Sequence, residues 1–523
     1  MREIIKNKTS LILVLSLAIF IASFLIHWYP VQKKGYPPSI SPETLILARN
    51  LTQTGEYSSE NNIGMVLNSD LIAEKGDDSI AYNKYSAVFY SYIFKIFGFN
   101  QNLPLYICLI LFSLTGVILF ILSFKLFNLP IALLQVLIFN LFPIISYASV
   151  YYGFYEWGIF LFSLGLLFYF WPKEKISLWL LLVAGLFFAL ASLSRSAFLL
   201  SVGLLGLYEF YKHKNIKRIL IFALPIIIAW GIYLTPGHIN NQENSYLSSS
   251  QERFSVYGHL FPDPYTFFFE KQQFLDELTP TGPNDLEMLI KLNQPLSFRQ
   301  YVNVYFSSFT FYALEIIKII IIGGPLIIFL IFLGLRKLYA NRHELRQAFI
   351  FWLAGLYLLL VVLKTNNWDH FLEISFPLSL LGALGCYQLI KTMLDKKKFL
   401  IILFVLFLFG HLILANKWMY HEEYNTSNMT EAIEIAECIN SQPINNEVIA
   451  VNIHPELPDY LNYYTNKNII HFSQETINKL LNQGRLDQAF EKYDVRWIIG
   501  FDQEVAENIK NALPINNLAE LCE

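Results

Sequence analysis

Several short stretches of this chain carry ionisable side chains inside, or at the edge of, otherwise apolar sequence. Glu43 opens "ETLILARN", Lys84 stands in "AYNKYSAVFY", Glu156 in "SVYYGFYEWGIFLF", Arg195 in "LASLSRSAFLL", and Asp369, His370 and Glu373 in "NNWDHFLEISFP". A charge at membrane depth is costly and is a functional candidate by default. A carboxylate can take the proton from a hydroxyl as it attacks, which is general-base work. Lys and Arg can hold a departing phosphate as its charge grows, Arg through two parallel hydrogen bonds. Such a set suits moving a sugar from a phosphate to an alcohol, and surrounding aromatic faces suit a sugar ring and a polyprenyl chain. Interfacial charges also simply flank spans, but Glu156 and Arg195 sit within apolar sequence, where each needs a partner.

The elements that must position these residues are membrane helices. Of 523 residues, 54% are hydrophobic and 15% charged, against about 25% charged in a soluble domain. Apolar runs of spanning length recur at 10–29, 103–124, 129–149, 155–171, 176–193, 196–210, 217–235, 311–334, 347–364, 374–391 and 399–415. They predict about eleven transmembrane helices. The first, Leu11 to Trp28, is longer than a signal-peptide core of roughly 7–15 residues and no A-x-A site follows it, so it reads as an uncleaved helix. If the spans alternate, "MREIIKNK", "SFKLFN", "PKEK", "YKHKNIKR", "LRKLYANRHELR" and "KTMLDKKK" all fall on one side. The excess of Lys and Arg makes that side cytoplasmic and the N-terminus internal, with Lys33, Lys34 and Arg49 as exceptions.

This orientation puts segments 30–102 and 236–310 and the tail 416–523 outside. Every candidate residue above then approaches the outer boundary. Within the first segment, "YSAVFYSYIFKIFG" reads as an aromatic amphipathic stretch lying in the interface. In the tail, "TEAIEIAECINSQ" and "SQETINKLLNQGRLDQAFEKYD" read as capped helices, and "EVIAVNI" and "VRWIIGF" as strands. The expected architecture is an all-α polytopic membrane domain, 1–415, with a small α/β extracytoplasmic domain, 416–523. No basic stripe points to nucleic acid, and no Gly-rich phosphate loop is present. Cys108 and Cys386 read as core fillers, while Cys438 and Cys522 could pair in an oxidising space.

The order of these elements resembles the GT-C superfamily of polyprenyl-phosphate-sugar-dependent glycosyltransferases, close to the aminoarabinose transferases and protein O-mannosyltransferases. The likeness covers most of residues 10–391. "ETLILARNLTQTGEYS" is similar to the family's helix after the first span, and "NKYSAVFYSYIFKIFG" to its Lys-Pro-Pro-Leu stretch that runs to Phe-Gly. "YEWGIFLFSLGLLF" resembles the Ser-Glu that opens the fourth span, and "VAGLFFALASLSRSAFLL" the Gly-Leu-x-x-Leu-Thr-Arg-Pro junction. "DHFLEISFP" stands where the family often has Arg-Tyr and then Pro.

The resemblance implies a lipid-linked sugar donor, an extracytoplasmic acceptor (lipid, glycan or protein), inversion at the anomeric carbon, and a multi-pass protein of the plasma membrane. It implies Glu43 as catalytic base, Glu156 as an orienting or second acid, and Lys84, Arg195 and His370 on the donor phosphate. The chain departs from the pattern in three places. The loop aspartate of the family would fall near Ile40; Glu43 lies about one helical turn further on, with Asp70, Asp77 or Asp78 as alternative bases. The prolines beside Lys84 are missing. His370 replaces an arginine, so phosphate binding there would depend on pH. No His or Cys cluster asks for a metal; a divalent ion is compatible but not indicated, and no other cofactor is expected. Competing readings are an O-antigen-ligase-like transferase, an inactive scaffold of the same fold, and a transporter or lipid flippase. The last would put charges at mid-bilayer and paired broken helices in two halves. The orientation is testable: alkaline phosphatase fused after Glu523 should be active, and fused in the basic loops after Leu126 or Lys214 it should be inactive.

Overall fold

The computed structural model describes chiefly residues 2–31, 42–53, 84–149, 156–171, 177–194, 197–233, 325–341, 375–394, 427–444 and most of 447–517. The outer segment 236–310, the run at 347–364 and most of that at 399–415 lie outside the described residues. In chain order the helices up to the tail are α1 Arg2–Val31, α2 Pro42–Gln53, α3 Lys84–Phe97, α4 Leu103–Leu126, α5 Leu129–Asn140, α6 Pro143–Ala148, α7 Glu156–Phe170, α8 Leu178–Ser194, α9 Ala197–His213, α10 Ile216–Tyr233, α11 Pro325–Asn341 and α12 Ser375–Leu394. The chain divides into two compact units. One holds Met1–Pro30, Leu109–Val150 and Tyr155–Glu423, the other Val31–Cys108, Tyr151–Phe154 and Tyr424–Glu523.

The first unit is helical. By length and composition, Ser10–Tyr29 and Leu103–Leu126 can each cross a bilayer, and α5, α7 and α8 are shorter apolar helices. The apolar run at 129–149 is not one helix. It breaks after Asn140 and resumes at Pro143, because a proline has no N–H for the helical ladder and its ring clashes with the preceding turn. Asn140 is used sideways instead. Its amide donates to Ser23 Oγ at 2.8 Å and to the Val136 carbonyl at 2.9 Å, and its Oδ1 pairs with His27 Nε2 at 2.9 Å. This network ties α1 to α5.

Apolar burial gives helices little reason to associate in lipid, so close backbone approach through small residues carries the packing. A Cβ on Gly334 would overlap the Leu381 carbonyl, and one on Gly385 the Leu330 carbonyl, so α11 and α12 touch backbone to backbone at reciprocal glycines. Gly165 lies under the ring of Phe188 and Gly185 against the Phe222 carbonyl. Around them Phe162 stacks on Phe198 with centroids 4.7 Å apart and meets Phe188 at 5.3 Å, while Phe139 meets Phe376 at 5.5 Å. A buried ion pair closes the α9–α10 hairpin. Arg218 Nε donates to Glu209 Oε1 at 2.7 Å, and the Tyr169 hydroxyl donates to Oε2 at 3.1 Å.

In the second unit, α2 packs on α3, the expected amphipathic stretch. Ala87, Tyr90 and Phe94 of α3 are buried at helical spacing while Tyr92, Ile96 and Phe97 remain more than half exposed. The tail adds α13 Ser427–Ser441, α14 Leu457–Thr465, α15 Gln474–Asn482, α16 Leu486–Lys492 and α17 Gln503–Ala512. Its strands Val448–Val451, Asn468–His471, Val495–Ile499 and Asn516–Asn517 form one parallel sheet in which the first strand lies between the second and third. One face of the sheet buries Ile449, Val451 and Ile469 with Ala432 and Ala436 of α13 and Leu461 of α14. The other buries Ala450 and Ile498 with residues of α15, α16 and α17, among them Ile477, Phe490 and Ile509. Cys438 is disulfide-bonded; Cys522, its expected partner, lies outside the described residues.

Arg49, with 0% of its surface exposed, fastens α2 to the tail. Its Nη1 donates to the Asn462 carbonyl at 3.3 Å and its Nη2 to Asn462 Oδ1 at 3.2 Å, with the guanidinium carbon 5.8 Å from the Phe99 ring centroid. Tyr463 donates to the Gln101 carbonyl at 3.0 Å, and Gln101 donates back to the Tyr464 carbonyl at 2.5 Å. Burial lowers the Arg49 guanidinium to about 10, with Tyr463 opposing the shift, and burial pushes the Tyr463 phenol up.

Three stability outcomes follow, read by thermal unfolding in detergent. Gly334→Leu or Gly385→Leu should separate α11 from α12 and cost at least about 1–3 kcal/mol. Gly203→Ala, where an added Cβ meets nothing within 4 Å, should be neutral or stabilise by about 0.5–1 kcal/mol. Asn462→Ala removes an acceptor from a buried cation and should cost about 1.5–3 kcal/mol.

Candidate functional site

Glu43 and Lys84 stand at the starts of two helices that pack on each other. Pro42 begins α2 with its fixed φ and without wasting a helical donor, which puts Glu43 in the first turn. Lys84 is the first residue of α3. The Thr52 hydroxyl, donating to the Ser91 carbonyl at 3.1 Å, ties the two helices together. Residues Thr44 to Asn50 are all buried, so the helix that carries Glu43 is fixed by its own flank and by Arg49.

Glu156 is the first residue of α7 and is fully buried, 0% exposed. A carboxylate at a helix N-terminus faces the positive end of the helix dipole and unsatisfied backbone N–H groups, which lets an acid reside within apolar sequence. Two residues on, Gly158 lies so close to α8 that an added Cβ would overlap Ser194 Oγ. Ser194 ends α8 and precedes Arg195 in the chain. The first turn of α7 and the end of α8 therefore meet at small residues, as the sequence spacing of "YEWG" and "LSRS" allows.

Arg195 and His370 lie outside the described residues, as do Asp369, Glu373 and the alternative bases Asp70, Asp77 and Asp78. Glu43 and Lys84 belong to the second compact unit and Glu156 to the first. Among the described residues no three His, Cys, Asp or Glu side chains gather as they would around a metal ion.

Sequence reasoning overlooked two residues. Arg49 counts as an outer-side exception to the charge rule, yet it is a buried structural cation; the signal available was its place at helical spacing within an otherwise apolar stretch, "LILARNL". Glu209, near the end of the apolar run 196–210, is not singled out, but it is the buried partner of Arg218, 9 residues further on.

No model of a known protein family matches the sequence, and no curated protein matches it. Solved structures do. The oligosaccharyltransferase of Archaeoglobus fulgidus, tethered with an acceptor peptide, is 10% identical, with 92% of this chain and 68% of that chain covered and a TM-score of 0.51. The archaeal oligosaccharyltransferase AglB from Archaeoglobus fulgidus, in complex with an inhibitory peptide and a dolichol-phosphate, is 11% identical, with 92% and 69% covered and a TM-score of 0.50. ArnT from Cupriavidus metallidurans, bound to undecaprenyl phosphate, is 12% identical, covers 92% of this chain and 88% of that chain, and superposes more loosely, with a TM-score of 0.41. At such identities the likeness speaks to architecture: this chain shares the fold of these oligosaccharyltransferases.

Proposed function

We propose that this protein is an integral membrane glycosyltransferase that moves a sugar from a polyprenyl-phosphate donor to an extracytoplasmic acceptor, with inversion. The observation that carries the reading is this shared fold along 92% of the chain. The acidic and basic residues that the sequence assigns to the outer boundary agree with it. The oligosaccharyltransferase of that fold is known with an acceptor peptide and with a dolichol-phosphate, two ligands that match the two substrates proposed here. The full reading has about eleven spans, an internal N-terminus, the plasma membrane as its site, a membrane domain at 1–415 and an extracytoplasmic α/β domain at 416–523.

In this mechanism Glu43 accepts the proton of the acceptor hydroxyl. The hydroxyl oxygen bonds to the anomeric carbon on the face opposite the phosphate. The bond between that carbon and the phosphate oxygen breaks, and its electron pair leaves with the polyprenyl phosphate. Lys84, Arg195 and His370 hold the phosphate as its charge grows, where preorganised cations are worth most. Glu156, held at the start of α7, orients the basic residues by charge. Lys and Arg can together neutralise one phosphate, and a divalent ion is compatible with the same site but not indicated.

The test uses purified protein in lipid vesicles with a panel of polyprenyl-phosphate sugars, reading the release of polyprenyl phosphate. Glu43→Gln should lower turnover about 10²–10⁴-fold, the usual contribution of a general base. Arg195→Ala and Lys84→Met should each lower it about 10²–10³-fold. A wild type that releases no carrier from any donor, yet moves a solute across the membrane, would overturn the reading. Full activity in both Glu43→Gln and Arg195→Ala would overturn the assignment of residues.

A further inference from the structure

We infer a binding site for the phosphate of an anionic phospholipid at the cytoplasmic end of the helical unit. The inference rests on the membrane-spanning orientation above but not on catalysis. Beside the crossing of α11 and α12 lies a cavity of about 230 Å³, far above the ~10–15 Å³ that one water needs. Its origin is steric. At Gly334 and Gly385 the helices touch through their backbones, and next to these glycines Lys337 and Tyr387 border the opening. The turn between α4 and α5 supplies the remaining wall through Asn128.

The polar groups on offer can each donate a hydrogen bond. Asn128 spends its side-chain oxygen on the Ile131 N–H, at 3.1 Å, as the N-cap of α5, so its amide NH₂ is the part left to donate. Lys337 supplies an ammonium and Tyr387 a hydroxyl, and neither makes a hydrogen bond or ion pair among the described residues. No carboxylate is in the described lining. One positive charge with two neutral donors and no carboxylate beside them suits a singly charged, oxygen-rich anion, and a phosphodiester is that. The remaining lining is Phe127, Ile131, Leu338 and Leu384, which a free phosphate would not use and a glycerol backbone with its first acyl carbons would.

The placement agrees. Asn128 follows the basic stretch "SFKLFN", assigned to the cytoplasmic side. Lys125 lies 3.4 Å over the Trp171 ring centroid, a cation on an aromatic anchor of the kind that marks the lipid–water boundary. The inner leaflet is where anionic phospholipids meet basic pockets between transmembrane helices.

The experiment is native mass spectrometry of the full chain in detergent, titrated separately with phosphatidylglycerol, phosphatidylcholine and inorganic phosphate. Phosphatidylglycerol should form a one-to-one adduct at about tenfold lower concentration than phosphatidylcholine, the difference that about 1.4 kcal/mol makes. Lys337→Met should abolish the preference and Lys337→Arg should keep it, while Tyr387→Phe weakens it severalfold. In parallel, a photoactivatable phosphatidylglycerol should label the segment holding Lys337 in the wild type, a readout that needs no variant to fold. Equal retention of the two lipids, labelling confined to other segments, or displacement of the lipid by inorganic phosphate would overturn the lipid site. Loss of sugar transfer with lipid binding intact, or the reverse, separates this inference from the proposed function.

Discussion

A guanidinium buried away from water needs acceptors to offset its desolvation, and Arg49 organises the second unit around that requirement. The desolvation cost of a charge is several kcal/mol even after relaxation, so the structure surrounds it with the Asn462 carbonyl and side chain and the face of Phe99. Each of these partners belongs to a different part of the chain. The helix after the first apolar run, the stretch after α3 and a tail helix 413 residues away in sequence are thereby held in one arrangement. Glu43, a turn and a half before Arg49 on the same helix, inherits its position from this anchor. A surface helix of 12 residues would be marginal alone; tied through Arg49, it is a rigid carrier for an acid.

The two units are held by different physics. In the tail, burial of Ile449, Val451, Ile470 and Ile498 on the two faces of a parallel sheet removes apolar area from water, which is the ordinary driving force of folding. A helix leaving lipid for a neighbouring helix gains no such term, because lipid tails are as apolar as leucine. The first unit therefore spends its glycines where backbones meet, at 165, 185, 334 and 385, and fills the space between with phenylalanine. It places its few polar side chains, His27, Ser23 and Asn140, in contact with one another. Exposed leucines and isoleucines along α1 and α10 then need no further partner than acyl chains.

Much of this was legible from local pattern. The helix over "TEAIEIAECINSQ" and the strands in "EVIAVNI" and "VRWIIGF" are found at Ser427–Ser441, Val448–Val451 and Val495–Ile499. The amphipathic face of α3 was readable from period alone. What escaped depends on partners distant in sequence. The strand Asn468–His471 hides in "NKNIIHF", too short and too polar at its start to declare itself. The long tail helix is two helices, because Gly484 turns the chain at φ +62° between α15 and α16. The apolar run at 129–149 counted as one span because hydropathy is blind to Pro143. Glu209 went unremarked because its partners, Arg218 and Tyr169, come from neighbouring helices. Of the site, the helix starts bearing Glu43, Lys84 and Glu156 could be read, but not the anchors that hold them.

Glu156 illustrates why an acid can be written into apolar sequence. A carboxylate in the middle of α7 would meet a ladder of satisfied N–H groups and nothing to offset its charge. At the first position it stands at the helix end whose four backbone donors no preceding turn can use, where the dipole is positive. The glycine two residues later removes the side chain that would keep α8 away, so the end of α8 at Ser194 approaches this same turn. The approach of α7 to the end of α8 is thus a packing requirement, and a larger side chain at Gly158 would disturb it by overlapping Ser194.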